Sequence, residues 1–411
     1  MRGLYLVLAL AFLLVFAAAS DTLHLTPVQQ LSFKYQYNLL GWEAVRFPSK
    51  WLYWLGDSMF PYRQTWDQRV KAVQEYFKLK QESAALQGEM ERAAATGSGD
   101  VQAMEQRLQQ LNRRLGNLRP QVEETLEATV STVLRREGVP WSVGSFVFPP
   151  VDISLDSLPT LLVMSTRDRI QRRDDVLLTP DISIPQQEDL EDGIRRQRDL
   201  SALVTGLGGI STYPAIIFSD DLRGALAIAS HEWLHNYLFF RALGQHYWSN
   251  GDMGSLNETT ADLFGGELGD MVYTYLTEEK LPVRIPGAPP EPCPEDQFCF
   301  DREMRNTRIG ADELLSDGKI DQAEAYMEER RLVFVEKGYY IRKLNQAYFA
   351  FHGTYADSPA SVSPIHDQLL KVRRASPSLG AFVHLMAGIS SYEEFESMVQ
   401  KLPDRGRQAV G

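Results

Sequence analysis

The sequence predicts an α+β fold, in which a helical hairpin precedes a small mixed sheet with its own helices, followed by a helical C-terminal region. Three observations predict it: an apolar heptad seam over residues 101–122, short β-branched segments between residues 145 and 218, and helical patterns beyond residue 300. Strand and helix periods in separate blocks are typical of α+β chains. The predicted segments are 1–20, 21–63, 64–138, 139–280 and 281–411.

The composition indicates a folded protein that does not bind nucleic acid. Of 411 residues, 44% are hydrophobic and 23% are charged, and the formal net charge is −12. These fractions are ordinary for globular proteins, and the length suits two domains or one large domain with appendages. Because phosphate binding requires a concentrated basic surface, we expect no nucleic-acid partner.

Residues 1–20 predict a signal peptide or a membrane anchor. Arg2 precedes an apolar run from Leu4 to Phe16, and small residues then offer a cleavage site after Ala19 or Ser20. The run is short for a membrane-spanning helix, which favours cleavage. In both cases the remainder is expected outside the cytoplasm, secreted or anchored on the outer face of the membrane.

Residues 21–63 form an aromatic-rich lead-in. Its aromatic side chains could lie at a membrane interface beside an anchor, or could pack against the main domain: Trp51, Tyr53, Trp54 and Phe60.

Residues 64–138 predict an antiparallel helical hairpin. In the second arm the apolar residues alternate steps of three and four, which is coiled-coil spacing: Val101, Met104, Leu108, Leu111, Leu115, Leu118 and Val122. A similar stripe begins at Trp66, and Pro120 is expected to kink or restart the second arm. The hairpin could contact another protein. If its seam packs only on itself, it forms an arm independent of the rest.

Four segments between residues 139 and 280 predict strands: "SFVFPPVDISL", "TLLVMST", "DVLLTPDISI" and "TYPAIIFS". A charged helix is expected through "QQEDLEDGIRRQRDLSALV". Further helices follow in the C-terminal region, and Ser391 and Glu394 have the capping-box spacing that would start the last one.

The two cysteines, Cys293 and Cys299, predict a structural disulfide. Five intervening residues can close a small loop, and an exported protein meets oxidising conditions. No neighbouring histidine or cysteine completes a four-ligand zinc site around them.

The stretch "AIASHEWLHNYLFF" predicts a helix that carries two potential metal ligands. Asp220 or Ser219 can cap its N-terminus. His231 and His235 share one helix face, with Cβ atoms about 6 Å apart, so both can direct a nitrogen at one ion. Glu232 lies one step around the helix and can address a water on that ion without ligating it.

A third ligand is available downstream, in "GSLNETTADLFGG". A catalytic zinc ion has three protein ligands and an open position, and two histidines with a glutamate are a standard set. Glu258 can be that glutamate, and Asp262 can accept the free N–H of a ligand histidine. The alternative is structural, because Ser255 and Glu258 also have capping-box spacing.

These residues resemble a known family. "HEWLH" followed by "NETTAD" is similar to the gluzincin zinc metallopeptidases, the group that contains thermolysin and neprilysin. The resemblance covers about residues 210–275 and implies a zincin-like catalytic core. It implies one Zn²⁺ ion at His231, His235 and Glu258, Glu232 as general base, and supporting roles for Asp262 and the preceding Asn257. The strand in "STYPAIIFS" lies where such enzymes place a substrate-binding edge strand.

The sequence also departs from this family. It has no G-x-M-E-N motif, the mark of the aminopeptidase branch. The family usually supplies an oxyanion-stabilising side chain from the C-terminal region, where the candidates are Tyr340, Arg342, Tyr348, His352 and Tyr355. Histidines without a suitably spaced partner are expected to be surface or core residues rather than ligands: His246, His352, His366 and His384.

The sequence therefore predicts an exported zinc metallopeptidase whose partner is a peptide or protein substrate. Two alternatives stay open. One is a zinc-binding protein without catalytic activity, and the other is an interaction module built on the hairpin, with the motif accidental.

Overall fold

The structure is a computed structural model that describes residues 27–43, 64–96, 100–281, 293–294 and 297–402. Helices predominate and three small sheets accompany them, which agrees with the predicted α+β class. The predicted export segment and the residues Trp51, Tyr53, Trp54 and Phe60 lie outside these ranges. Within them, no helix combines the length and apolarity needed to cross a membrane.

The N-terminal part of the described chain is built from helices. Helix α1 (Pro27–Ser32) continues into a 3-10 turn, and α2 (Trp66–Thr96) and α3 (Val101–Arg136) form the two arms of a hairpin. The arms are antiparallel, because Gln64 bonds Gln121 while Glu75 pairs with Arg114 at 2.6 Å. Helix α3 runs through Pro120 without interruption, so the expected restart does not occur.

The hairpin shares the main hydrophobic core. Val122, Leu126 and Val130 of α3 are fully buried in one continuous cluster with the central helices described below. The condition for an independent arm, a seam that packs only on itself, is therefore not met. Burial on both sides of Pro120 also explains why α3 continues through it, since packing outweighs one missing hydrogen bond.

The part of the chain that the structure describes contains eight strands in three sheets. In chain order they are β1 (Trp141–Val143), β2 (Phe146–Phe148), β3 (Ile153–Ser154), β4 (Thr160–Thr166), β5 (Arg172–Leu178), β6 (Leu200–Thr205), β7 (Gly209–Ile210) and β8 (Ala215–Ile217). β1 and β2 pair as an antiparallel ribbon, and β4 lies between β5 and β6 in an antiparallel sheet. In the third sheet, β8 is central, parallel to β3 and antiparallel to β7.

One predicted helix is too long. Helix α4 (Ile184–Arg198) ends at Asp199, which adopts a left-handed conformation with φ 54°, and the following "LSALVT" is strand β6. Leu203 and Val204 are buried and pair with β4. This long-range pairing overrides the helical pattern that continues through the sequence.

Three central helices and six C-terminal ones complete the fold of the described residues. The central helices are α5 (Leu222–Leu238), α6 (Ala242–Gln245) and α7 (Gly251–Thr277). The C-terminal ones are α8 (Phe300–Ser316), α9 (Ile320–Glu336), α10 (Gln346–His352), α11 (Ile365–Ala375), α12 (Leu379–Ala387) and α13 (Tyr392–Gln400).

Two predicted caps are refined by the structure. Helix α5 is capped by Asp221, whose carboxylate accepts from the Gly224 N–H at 2.8 Å, and not by Ser219 or Asp220. Ser391 caps α13 as predicted. The Glu394 carboxylate also accepts from the N–H of Ser390 at 2.8 Å.

Cys293 and Cys299 are joined by a disulfide, as predicted, with their Cα atoms 6.2 Å apart. The bond closes a short loop before α8 and indicates an oxidising environment outside the cytoplasm.

Candidate metal centre

Helices α5 and α7 bring the predicted ligands together. Gly265 and Gly269 of α7 allow close packing, since a Cβ atom at Gly265 would lie 2.7 Å from the Ala227 carbonyl oxygen of α5. The helices are therefore in direct backbone contact. As a result, the face of α7 that carries Glu258 lies opposite His231 and His235.

The three predicted ligand atoms lie at the separations expected around one ion. His231 Nε2 is 2.9 Å from His235 Nε2, and Glu258 Oε2 is 3.6 and 3.3 Å from these two nitrogens. A tetrahedral ion bound at about 2.0–2.1 Å separates its ligands by about 3.3–3.4 Å. The group of His231, Glu232 and His235 is accordingly a candidate metal site, and Glu258 faces it.

Two side chains orient these ligands. Asp262 Oδ1 accepts from His231 Nδ1 at 2.9 Å, which leaves Nε2 of the imidazole turned towards Glu258. The Tyr247 hydroxyl donates to Glu258 Oε1 at 2.6 Å, so Oε2 is the oxygen that faces the histidines. Outer hydrogen bonds of this kind fix the orientation of metal ligands.

The structural alternative for Glu258 is wrong. Helix α7 begins at Gly251 and is capped by Asn250, which accepts from the Met253 N–H at 2.8 Å. Glu258 lies two turns into this helix, where the backbone groups already have helical partners, so it cannot cap the N-terminus.

Asn257 lines the cleft beside Glu258 and is also buried. Its amide nitrogen donates to the Leu243 carbonyl at 3.4 Å, whereas its side-chain oxygen has no hydrogen-bond partner among the described residues. A buried amide oxygen without a partner is costly, so Asn257 keeps one polar atom unsatisfied beside the candidate centre.

The pKa values of the two glutamates in the site shift in opposite directions. Burial opposes the charged form of Glu258, but the two histidines outweigh it and hold the pKa of Glu258 well below its usual range. For His231, burial disfavours protonation, yet hydrogen bonds to Asp262 and Glu258 prevail and raise its pKa. Glu232 differs, because burial raises its pKa and the histidines offset this only in part.

The position of the Glu232 side chain requires a glycine at residue 209. Glu232 is 6% exposed, and any Cβ atom at Gly209 would collide with its carboxylate. The backbone of β7 therefore lies directly against the Glu232 side chain. Only glycine permits this approach.

A cleft opens on this group of residues. It has a volume of about 380 Å³, and its walls carry His231, His235, Glu258, Arg172 and Tyr355. A second cavity of about 540 Å³ shares His231, Glu232 and Tyr355 and extends past Asp262. The candidate centre thus lies where two cavities meet, accessible from both.

The strand beside the cleft is not the predicted one. The strand in "STYPAIIFS" is β8, which has neighbours on both sides. The sheet edge that lines the cleft is β7, Gly209–Ile210. Glycine-rich "GLGG" carries no strand signal, which is why the sequence did not predict this edge.

The structure distinguishes the oxyanion candidates. Tyr340 is 89% exposed, and Arg342 binds the buried Glu191 carboxylate, so neither lines the clefts. Tyr348 packs on the His352 ring, and burial raises its pKa to about 12. His352 lines the second cavity.

Tyr355 is the candidate that lines both cavities. The next residue, Ala356, donates its N–H to Thr259 Oγ1 at 2.9 Å, which ties this segment to α7 beside Glu258. Burial and the nearby carboxylates raise the pKa of Tyr355 well above its usual value, so its hydroxyl keeps its proton.

Two further histidines of the described residues, His246 and His384, lie outside the ligand set. His246 bonds the Ala242 carbonyl, and His384 bonds the Val139 carbonyl, each at 2.9 Å. Sequence reasoning missed Tyr247 and Arg172. Tyr247 has no motif spacing to Glu258, and Arg172 reaches the cleft from the distant strand β5, so no local signal marks either one.

Comparison with protein-family models, with curated proteins and with solved structures found no match to this chain.

Proposed function

We propose that this protein is a zinc-dependent peptide hydrolase of the gluzincin type that acts outside the cytoplasm. One observation carries the proposal. Glu258 Oε2, from a separate helix, lies within 3.6 Å of the Nε2 atoms of both His231 and His235. The two histidines and Glu258 would supply three metal ligands, and Glu232 would supply a separate base. Zinc-dependent hydrolysis of a peptide requires such an arrangement.

The donor set supports zinc as the metal. Two imidazole nitrogens and one carboxylate oxygen are a common catalytic zinc set, and hard cations such as Mg²⁺ prefer oxygen alone. When bound, zinc would lower the pKa of its water and polarise the scissile carbonyl. Asp262 and Tyr247 would keep the ligands oriented.

Glu232 would act as the general base. Its raised pKa suits a carboxylate that takes a proton from water and passes it to the leaving nitrogen, since such a group works best when its pKa approaches the working pH. Gly209 holds β7 against it, so a peptide aligned on this edge would lie next to its carboxylate. Tyr355 is suited to donate its proton in a hydrogen bond to the developing oxyanion.

The disulfide and the predicted export segment support the compartment. We propose that the protein is secreted or anchored on the outer face of the membrane, with a peptide or protein as substrate.

The test uses purified protein, metal quantitation and a peptide library. We expect about one zinc per chain and hydrolysis of peptides by the wild-type protein. Glu232→Gln should keep zinc and lose nearly all hydrolysis. Glu258→Ala should lose zinc as well, because it leaves only two histidines, and Asp262→Ala should weaken zinc affinity by roughly 10 to 100-fold.

The outcomes separate the alternatives. Zinc without hydrolysis would indicate a metal-binding protein without catalysis, and absence of zinc would make the motif accidental. Wild-type rates in a zinc-loaded Glu232→Gln protein would show that the assignment of the base, and of the metallopeptidase mechanism, is wrong.

A further inference from the structure

The β1–β2 ribbon turns an apolar face to solvent. Residues directly opposite in an antiparallel pair share a face, and Trp141 pairs with Phe148 while Val143 pairs with Phe146. All four are exposed, whereas Val147 on the other face is buried in the core. A two-sided ribbon would normally bury its aromatic face, so this orientation calls for an occupant.

The exposed face is rigidly held. Arg135 of α3 donates to the Gly144 carbonyl in the ribbon turn at 2.9 Å, and Trp233 of α5 donates to the Pro149 carbonyl just after β2 at 2.9 Å. With Val147 in the core, the ribbon is fixed at its turn, its centre and its end. Its apolar side chains are therefore preorganised for binding.

Ring contacts connect this face to the cleft. Phe239 lines the cleft and follows α5 directly, its N–H bonded to the His235 carbonyl. Its ring lies 5.1 Å from Phe240, which lies 5.3 Å from Phe148. Phe239 is 70% exposed and Trp141 63% exposed. We call Phe239, Phe240, Phe148, Trp141 and Phe146 the aromatic track.

We propose that the aromatic track binds apolar side chains of a polypeptide substrate beyond the bond that is cleaved. The proposal rests on the proposed peptidase function and adds the substrate class, an extended polypeptide with a stretch of apolar residues. The two ring-to-ring steps span about three residues of extended chain at roughly 3.3 Å each. A peptide leaving the cleft would thus meet the track within a few residues.

Continuity with the cleft favours a polypeptide over other occupants. The first ring of the track, Phe239, belongs to the cleft wall and directly follows the helix that carries both histidines, so the track begins at the cleft itself. Trp248 lies on the same cleft wall, is 80% exposed and packs on Tyr247, the hydrogen-bond donor to Glu258. Aromatic side chains of this kind dominate recognition surfaces.

The experiment compares three peptides that share one cleavable core. One is the core alone, and the others carry an extension of about six residues, either leucine- and phenylalanine-rich or serine-rich, placed at each end in turn. Rates are measured with zinc-loaded protein, and binding is measured by fluorescence anisotropy with the Glu232→Gln protein. The variants are Trp141→Ser and Phe148→Ser, with Tyr340→Ser as a control for an exposed aromatic side chain outside the track.

We expect the apolar extension to raise kcat/KM and affinity about tenfold over the serine-rich one at one of the two ends. Trp141→Ser and Phe148→Ser should reduce that ratio several-fold at unchanged zinc content, and Tyr340→Ser should preserve it. Equal affinity for the two extensions at both ends would overturn the inference.

The other occupants are also outcomes of this test. If equal peptide affinity is accompanied by binding to phosphatidylcholine vesicles that Trp141→Ser abolishes, the track is a membrane-contact surface and the proposal is wrong. A dimer that Trp141→Ser dissociates would refute it in the same way. Failure of the wild-type protein to cleave any of the peptides would instead count against the proposed function, because the anisotropy measurement does not depend on cleavage.

Discussion

At the scale of single residues, three nearby acids have different roles because their partners differ. Glu258 is held ionised by two histidines and oriented by Tyr247. Asp262 fixes the His231 ring. Burial raises the pKa of Glu232, and the two histidines offset this only in part. The positions of these three acids on their helices would not predict their different roles. The protonation and orientation of each acid are determined by surrounding atoms from other parts of the chain.

Tyr247→Phe tests the orientation of Glu258. Removing the hydroxyl leaves Glu258 Oε1 without its donor and free to rotate, so we expect zinc affinity to fall by roughly 10-fold. Competition with a chromogenic chelator measures it. Tyr273→Phe is the matched control, because that hydroxyl donates to Glu279 at the exposed end of α7. Equal affinities of the two variants would show that Tyr247 does not orient the ligand.

At the scale of elements, the site depends on how closely α5 and α7 approach. Gly265 and Gly269 let the backbones meet, and Asp221 and Asn250 define where the two helices begin. Since His231 and Glu258 are on different helices, a small change in helix separation alters the ligand distances directly. Helix packing therefore determines the geometry of the candidate metal centre.

Gly265→Ala should disturb both stability and metal binding. The new Cβ would lie 2.7 Å from a backbone oxygen of Ala227 and 3.0 Å from His231 Cβ, so the helices must separate. We expect a loss of about 1–3 kcal/mol in unfolding free energy and weaker zinc binding. Gly193→Ala in α4 is the control, because no described atom lies within 4 Å of its Cβ position. There the substitution should be neutral or slightly stabilising, and thermal denaturation compares the two.

Another element-level contact explains why Arg342 is not a site residue. The Glu191 carboxylate of α4 is 1% exposed, and it accepts from Arg342, from Lys343 at 2.5 Å and from the Val204 N–H at 2.7 Å. Burial alone would raise the pKa of Glu191, but these hydrogen bonds outweigh it and lower the pKa. The carboxylate thus links α4, β6 and the segment before α10. Helix α10 follows this segment and contributes Phe351 to the cleft wall.

This contact predicts a pH dependence. A carboxyl whose folded pKa is lowered contributes stability above its ordinary pKa of 4.5, and the contribution is lost as the pH falls through the lower folded value. Glu191→Gln should cost roughly 3 kcal/mol at pH 7 and remove that part of the acid dependence. Urea titrations at pH 7 and near pH 3 measure both effects. Exposed Glu188→Gln on the same helix should change neither by more than about 0.5 kcal/mol.

At the scale of the whole molecule, the hairpin and the candidate centre share one hydrophobic core. The part of the hairpin near the body contributes Val122, Leu126 and Val130 to that core, and Lys80 pairs with Asp220 just before α5. These four hairpin residues lie outside the distal part of the hairpin, about residues 84–109. The part of the hairpin near the body is therefore a structural part of the shared core.

Two truncations test this division. Replacing residues 84–109 with a short glycine–serine turn should leave folding and zinc binding intact, because the contacts to the body remain. Deleting residues 64–137 should abolish both, since it removes a fully buried layer of the core. Circular dichroism and zinc content report the outcome. A folded, zinc-binding protein after the larger deletion would show that the hairpin is independent after all.

The sequence by itself determined the features that depend on local spacing. These are the hairpin seam, five of the strands, the helix that carries His231, Glu232 and His235, and the short loop between the cysteines, which are six positions apart. Each follows from a repeat of two or about 3.6 residues, or from a short loop that the chain can close. Glu258 and Asp262 were predicted from the need of a catalytic zinc ion for a third ligand and an oriented histidine, with the capping alternative left open.

The tertiary structure alone decided what depends on contacts between distant segments. Tyr247 donates a hydrogen bond to Glu258, and the strand that lines the cleft is Gly209–Ile210. Helix α4 ends before β6, and Arg342 binds Glu191 instead of lining the candidate site. The physical reason is common to all four. A residue's local pattern determines which element it can form, whereas its partner is chosen by the packing that buries the most apolar surface and leaves the fewest polar groups unpaired.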